Sequence, residues 1–196
     1  MRLVIASKNP KKRQEIEAIM NVLGIETVPV KETCFVDVIE DGDTFAANAR
    51  KKAEAFCHAN HQPALGDDSG LCVDALNGAP GVFSSRFGGE DADDAANNAK
   101  LMQELTGQTN RKAHFTCHLH MAFPDNAPPI TVEGYVDGII LEHFNGTQGF
   151  GYDPLFFCPE LGKSFASATP KEKASVSHRG RALRQLASQL KVQLGG

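Results

Sequence analysis

Two adjacent carboxylates, Asp67 and Asp68, are the residues that most directly suggest chemistry, because they stand between apolar flanks. Leu65 precedes them and Leu71 follows, so we expect the pair where a buried strand stops at a cleft. Charges at such a place need a partner. Magnesium is a suitable one, since it takes one or two protein carboxylates and shares its other positions with water and phosphate oxygens. An ordinary turn is the alternative, because Asp, Ser and Gly all suit turns.

A basic loop near the N-terminus is the second candidate site. It lies between an apolar run at residues 2–6 and a helical pattern that Gly24 ends. A strand that leads into a helix start presents free backbone N–H groups and the positive helix end to an anion. A solvated basic first turn is the alternative, and the sequence has no Walker-type P-loop. The loop consists of Ser7, Lys8, Asn9, Pro10, Lys11 and Lys12.

A loop rich in glycine and aromatic residues, from Asn145 to Pro154, is the third candidate. Glycines let a backbone approach a ligand closely, and a ring beside them can stack on a planar base. A rigid turn packed on the core is the alternative. Further along, Thr169 to Glu172 form a capping box that starts a helix. His178 and Arg179 follow Ser177 at the start of the last helix, where the helix dipole disfavours cations unless an anion compensates.

Hydrophobic periodicity predicts the elements that position these groups. Strands are predicted over residues 2–6, 25–30, 71–76, 114–123, 130–141 and 155–157. Helices are predicted after the basic loop, after Asp43 or Thr44, from Asp91, from Thr169 and after Ser177. The helix from Asp91 is expected to bury Ala95, Ala99, Met102 and Leu105, and the apolar stripe of the last helix ends at Leu194. The runs 114–123 and 130–141 have the pattern of a hairpin, so a mixed sheet is expected.

Composition limits the function classes. The chain has 196 residues, 41% hydrophobic and 22% charged, which suits one globular domain with a sizeable core. The net charge of -4 argues against a general binder of nucleic acid. Five scattered cysteines without a CxxC motif indicate reduced thiols and a cytoplasmic protein. Apolar runs stay well below the roughly 18 residues of a membrane span, so we expect a soluble protein without membrane contact.

Six segments together resemble one family, in the right order along nearly the whole chain. They are Ser7-Lys8-Asn9, Glu40-Asp41-Gly42, Asp67 to Leu71, Gly78 to Gly81, Phe150 to Asp153, and Lys173 with Ser177 to Gly180. The family is that of the XTP/dITP pyrophosphatases, also called inosine triphosphate pyrophosphatases. The resemblance implies an α/β fold with a long mixed central sheet, flanking helices and two lobes around a substrate cleft, as a single domain over residues 1–196 and as a homodimer.

The resemblance also implies a reaction and a set of site residues. The reaction is the magnesium-dependent hydrolysis of ITP, dITP or XTP to the monophosphate and pyrophosphate, which removes these nucleotides from the pool. Glu40 and Asp68 are expected to bind the metal. Asp68 is also expected to orient or deprotonate the attacking water, with Asp67 in a supporting role. The expected substrate-binding residues are Ser7, Lys8, Asn9, Pro10, Lys11, Lys12, Ser69, Phe150, Gly151, Tyr152, Asp153, Lys173, His178 and Arg179.

The family pattern is not matched at every position. Ser7 stands where the family has Thr and keeps the hydroxyl, while Lys8 stands where a small residue is common. For the base, a ring from Phe150 or Tyr152 is expected to stack. Donors from the start of the last helix or from backbone amides would meet a 6-oxo group. A 6-amino purine would then place donor against donor, so adenine should be rejected.

Two other functions stay open at this point. A Maf-like house-cleaning pyrophosphatase would act on pyrimidine or other modified nucleotides, and a panel of triphosphates would distinguish it. A non-catalytic nucleotide-binding module would use the same loops without hydrolysis. Such a module has no need of Glu40 beside the paired aspartates, although Glu40 alone is also typical of a solvated loop.

Overall fold

The computed structural model describes residues 1–90, 93–125 and 127–193. Within these ranges, the strands are β1 (Arg2–Ala6), β2 (Glu26–Thr27), β3 (Ala64–Val73), β4 (Lys112–Ala122), β5 (Ile130–Ile140), β6 (Phe156–Cys158) and β7 (Lys163–Ser164). The α-helices are α1 (Pro10–Val22), α2 (Phe45–Asn60), α3 (Asp94–Glu104), α4 (Pro170–Val176) and α5 (His178–Gln193). The predicted helix start at Asp91 and the stripe residue Leu194 lie outside the described residues.

The strands form one sheet in the order β2-β1-β3-β4-β5-β6-β7. Strand β1 is parallel to β2 and β3, while β6 is antiparallel to β5 and β7. The mixed sheet with flanking helices is therefore confirmed. Among the described residues, no helix is long and apolar enough to cross a membrane.

Side-chain caps explain why the helices begin where they do. The side chain of Thr44 accepts a hydrogen bond from Ala47 N at the start of α2, and Asp93 accepts from Ala96 N at the start of α3. Thr169 and Glu172 form the predicted capping box of α4. Each cap satisfies backbone N–H groups that the first helical turn leaves without a partner.

The chain forms two compact units. The first contains Met1–Asp68, Cys117–Gly134 and the chain from Arg179 on, and the second contains Ser69–Thr116 and Tyr135–His178. In the first unit, one core cluster joins β1, β3 and β4 to α1 and α5, while another joins β1 and β3 to α2. The second unit has its own core, built from β3 residues after Ser69, α3, and parts of β4, β5 and β6.

The prediction that a strand stops at Asp67 and Asp68 is wrong. Strand β3 runs unbroken from Ala64 to Val73. Of the separate strand predicted over 71–76, the first three residues are the end of β3, and Asp74–Leu76 form a short 3-10 helix instead. Successive side chains of a strand point to opposite faces of the sheet. Asp67 therefore faces the same side as Leu65, toward α1 and α5, and Asp68 faces α2. Each carboxylate finds ionic partners on its own side, so the strand continues.

Two other expectations also need correction. The strand predicted over 25–30 is only the two residues of β2, because the chain turns into a short 3-10 helix from Val30 after Pro29. Helix α3 buries Asn97, Asn98 and Leu101, whereas Ala95 and Ala99 are exposed. Met102 and Leu105 do pack on the core of the second unit, as predicted. The two alanines do not, because Asn97 and Asn98 find hydrogen-bond partners that allow them to be buried.

Replacing Gly66 by alanine is expected to lower the free energy of unfolding by about 3 kcal/mol, because α2 packs directly on β3 there. A Cβ at this position would lie 2.0 Å from the Ala49 carbonyl oxygen. Urea unfolding of both proteins measures the loss. Gly24→Ala is the control, since its Cβ would meet nothing within 4 Å and only the positive φ of 74° disfavours an alanine there. This strain should lower the free energy of unfolding by about 1 kcal/mol. Equal losses would contradict the packing argument.

Candidate active site

The basic loop is shaped by its own side chains. Asn9 Oδ1 accepts hydrogen bonds from the backbone N–H groups of Lys11 at 2.9 Å and Lys12 at 3.1 Å, so Asn9 caps α1. Ser7 Oγ accepts from Asn9 N at 3.2 Å, and Pro10 is the first residue of the helix. The side chains of Ser7 and Asn9 thus fix the turn that leads from β1 into α1, with the lysines on its first turn.

The three lysines of this loop have different surroundings. Lys8 is exposed and pairs with the exposed Asp37. Lys11 is exposed as well. Lys12 Nζ instead lies 3.1 Å from Asp67 Oδ1, and only 19% of its side chain is exposed. Lys12 is therefore the lysine that the fold directs to the paired aspartates.

Asp67 is a buried anion of the first unit, with 1% exposure. Arg179 Nε donates to Asp67 Oδ2 at 2.7 Å, and the Cys117 thiol donates to the same oxygen at 3.3 Å. Arg179 also pairs with Glu15. Burial alone would raise the pKa of Asp67, but the charges of Arg179 and Lys12 outweigh it and hold that pKa well below its usual value. Asp67 is thus a charged ion-pair partner at neutral pH.

Asp68 has a different environment on the other face of β3. Lys52 Nζ lies 3.3 Å from Asp68 Oδ1 and 2.5 Å from Glu40 Oε2. Asn48 Nδ2 donates to Asp68 Oδ2 at 3.2 Å. Burial raises the pKa of Asp68, and Glu40 adds to the effect, while Lys52 opposes it. The two neighbouring aspartates therefore differ in basicity, and Asp68 is the more basic.

The residues around Lys52 suit a hard divalent cation. Glu40 and Asp68 contact the same ammonium group, so their carboxylate oxygens surround one point in the first unit. Among the described residues, no group of three or more His, Cys, Asp or Glu could hold a metal ion. Two carboxylates, completed by water and phosphate oxygens, are a donor set that magnesium accepts. Glu40 and Asp68 therefore fit such an ion only if other oxygens complete its shell.

The glycine-rich loop belongs to the second unit and is held by Asp153. Phe150 N donates to Asp153 Oδ2 at 2.9 Å, and Lys173 Nζ donates to the same oxygen at 2.6 Å. Lys173 Nζ also lies 4.8 Å from the centroid of the Phe150 ring. Tyr152 is 4% exposed and its hydroxyl donates to the Ser84 carbonyl at 2.8 Å. Tyr152 is thus a core residue, and Phe150 is the better candidate for stacking on a base.

The predicted residues at the last helix are buried. The His178 ring, in the second unit, is 4% exposed and stacks on Phe115 with centroids 4.8 Å apart. The Arg179 guanidinium, in the first unit, is held by Asp67 and Glu15. The structure therefore places Arg179 in a buried ion cluster of the first unit. Ser69 is half-buried in β3.

Sequence reasoning missed Lys52, Asn48 and Cys117. A signal for the first two was present, because Asn48 and Lys52 are four residues apart and stand beside Ala49 and Ala53 on the buried stripe of α2. Polar residues next to a buried stripe need buried partners. Cys117 gave no comparable signal.

The mixed α/β sheet carries two carboxylates with their cationic partners, an arrangement that suits an enzyme acting on polyphosphates. Comparisons with known proteins identify the family. The Ham1 family matches residues 3–189, so the chain belongs to the Ham1 family. A dITP/XTP pyrophosphatase of Desulforamulus reducens is 48% identical over 188 residues, 94% of this chain and 93% of the relative. One of Geobacillus kaustophilus is 46% identical over 197 residues, 99% of this chain and 96% of the relative.

The fold comparison agrees with the family. A HAM1 protein from Coxiella burnetii has a solved structure with a TM-score of 0.87 and 38% identity, which covers 97% of this chain and 98% of that one. The predicted family and the α/β fold are thus confirmed.

Proposed function

We propose that this chain is a nucleoside triphosphate pyrophosphatase that hydrolyses the non-standard purine nucleotides ITP, dITP and XTP to the monophosphate and pyrophosphate. Relatives named dITP/XTP pyrophosphatase, 48% and 46% identical over nearly the whole chain, support the substrate class. The observation that carries the proposal is the convergence of Glu40 and Asp68 on Lys52, with Lys12 directed to Asp67. Carboxylates beside cations suit the hydrolysis of a polyphosphate.

In the proposed reaction, water adds across the phosphoanhydride bond between the α- and β-phosphates. Asp68 orients the water or takes its proton. Lys12 and Lys52 offset the negative charge that grows on the departing pyrophosphate. Magnesium, if held by Glu40 and Asp68, would supply further positive charge to the phosphate oxygens. The remaining residues of the basic loop, Ser7, Lys8, Asn9, Pro10 and Lys11, are proposed to contact phosphate, with Lys8 and Lys11 adding positive charge at the positive end of α1.

For the base, we propose that the Phe150 ring stacks on the purine and that Lys173 lies beside it. The 4.8 Å distance between Lys173 Nζ and the Phe150 centroid, and their shared bonds to Asp153, keep the ring in a defined place. Gly151, Tyr152, Asp153 and His178 are proposed to support this base site, and Ser69 is proposed as a further contact.

The purified protein with magnesium should release pyrophosphate from ITP, XTP and dITP at least about a hundredfold faster than from ATP, because a site that hydrogen-bonds a 6-oxo group rejects a 6-amino group. The measurement is kcat/KM for each nucleotide, with GTP and pyrimidine triphosphates in the same panel. Equal rates with ATP would contradict the specificity. Preference for a pyrimidine would favour the Maf-like alternative, and binding of ITP without product would favour a non-catalytic module.

We further propose a homodimer, magnesium as the cofactor, and a role in the cytoplasm. The five cysteines are free thiols, which suits a reducing compartment. Light scattering of the purified protein tests the dimer, and an EDTA titration with add-back of magnesium, manganese and calcium tests the choice of metal.

A further inference from the structure

Helix α3 holds one peptide of the proposed base loop from both sides. The backbone N–H of Gly151 donates to Asp94 Oδ2 at 2.8 Å. The carbonyl oxygen of the same residue accepts from Asn98 Nδ2, also at 2.8 Å. Helix α3 thus binds both backbone polar groups of Gly151. Asn98 precedes Gly151 by 53 residues in the sequence. We call Asp94 and Asn98 the α3 clamp.

The clamp is itself anchored. Asn98 is 3% exposed, and its amide also donates to the backbone carbonyl of Asp94, one turn earlier, at 2.7 Å. This second bond fixes the direction of the amide, because both of its N–H groups then have acceptors. Gly151 has a φ of 59°, which a residue with a side chain rarely adopts. Glycine adopts this φ without steric cost, so the bonds to α3 select one of the several conformations open to Gly151.

The clamp completes a set of bonds that fix the loop around the partly exposed ring of Phe150. Tyr152 is fixed through its hydroxyl to Ser84. Asp153 is fixed to Lys173 and back to Phe150 N. With Gly151 bound to α3, each of the three residues that follow Phe150 is bonded to a separate segment of the second unit. The orientation of the Phe150 ring therefore depends on these bonds as well as on its own contact with Lys173.

We propose that Asp94 and Asn98 are positioning residues for base discrimination, an inference that rests on the proposed function. They do not contact the nucleotide in this proposal. They hold the Gly151 peptide so that the Phe150 ring and the adjoining backbone meet the purine in one orientation. A site rejects an analogue strongly only when its polar groups are held in place and left unpaired by the wrong base. Loosening Gly151 should therefore weaken discrimination more than it weakens the chemical step.

Asn97 provides a matched control on the same helix. Asn97 is 4% exposed. Its Oδ1 accepts from Gly88 N at 2.7 Å, and its Nδ2 donates to the Ser85 carbonyl at 3.2 Å, so its amide holds a different segment from the one that Asn98 holds. Asn98→Leu and Asn97→Leu thus remove the same buried group from adjacent positions. Asp94→Ala removes the other half of the clamp at an exposed position, so folding is less at risk. Asp94→Asn keeps an oxygen that can accept from Gly151 N–H and should restore the wild-type behaviour.

The experiment compares kcat and KM for ITP and ATP in all four variants and in the wild type. For Asn98→Leu and Asp94→Ala we expect KM for ITP to rise about tenfold and the ITP to ATP ratio of kcat/KM to fall about tenfold. Their kcat should stay within about threefold, and inhibition by inorganic pyrophosphate should be unchanged. Asn97→Leu and Asp94→Asn should keep the wild-type ratio. If Asn98→Leu and Asn97→Leu change the ratio equally, the clamp has no specific role.

Hydrogen exchange separates this inference from the proposed function. Asp94→Ala should speed exchange in the peptide around Gly151 about tenfold, and Asp94→Asn should not, whether or not the protein hydrolyses ITP. A wild type that releases no pyrophosphate from ITP would overturn the proposed function. Unchanged exchange at Gly151 in Asp94→Ala would overturn the clamp.

Discussion

Asp68→Asn is expected to lower kcat for ITP by about a thousandfold, because in the proposed reaction this one carboxylate both orients the water and binds a cation. The substitution keeps the size of the side chain. The single oxygen of the new amide can still accept from Asn48, but an amide cannot replace the charge that faces Lys52 at 3.3 Å. Chemistry should thus suffer far more than substrate binding, and KM should change little.

The measurement is single-turnover pyrophosphate release together with thermal unfolding of both proteins. Asp74→Asn is the matched control, since Asp74 is an exposed carboxylate just after the same strand. It should keep the wild-type rate. A rate for Asp68→Asn within tenfold of the wild type would remove Asp68 from the mechanism. If the unfolding temperature of Asp68→Asn falls by many degrees along with the rate, the loss of activity would instead reflect a structural role of Asp68.

Local signals in the sequence predicted the parts of the fold that depend on neighbouring residues. The capping box at Thr169 and the glycine after α1, with its φ of 74°, are both found where the sequence placed them. Their physical causes lie within one turn of the chain: unsatisfied N–H groups at a helix start and a left-handed residue at a helix end.

The aspartate pair shows where such local reasoning stops. The stretch around Asp67 and Asp68 has the composition of a turn, and its partners are far away in sequence. Arg179 is 112 residues from Asp67, and Lys52 is 16 residues from Asp68. Ion pairs with these residues stabilise an extended conformation that the local composition disfavours. The same holds for Asn98, whose polar side chain indicated an exposed position although its acceptor at Gly151 allows it to be buried.

The strand also changes the roles of the two aspartates. In a turn, both carboxylates could face one ligand, whereas in β3 they face opposite sides of the sheet. Asp68 shares its side with Glu40 and Lys52, and Asp67 shares its side with Arg179. The expected division, with Asp68 in the reaction and Asp67 in support, thus acquires a physical basis, and the support consists of a buried ion cluster.

Arg179→Met is expected to lower the free energy of unfolding by about 3 to 5 kcal/mol, because it leaves the buried Asp67 carboxylate without its closest cation. Arg179 is 2% exposed and Asp67 is 1% exposed, so water cannot replace the lost partner. Lys12 at 3.1 Å and the Cys117 thiol at 3.3 Å remain, but they do not supply the paired geometry of a guanidinium. Urea unfolding at neutral pH measures the loss.

A double-mutant cycle with Asp67→Asn tests the cause. Removing both charges should cost clearly less than the sum of the single losses, because the second substitution removes the anion that the first left unpaired. Arg50→Met is the control, since Arg50 forms an exposed pair with Glu54 at 3.1 Å and such a pair contributes about 0.5 kcal/mol or less. If Arg179→Met costs no more than Arg50→Met but abolishes ITP hydrolysis, then Arg179 acts on the nucleotide, as the family resemblance implies. The buried cluster would then not be what holds Arg179 in place.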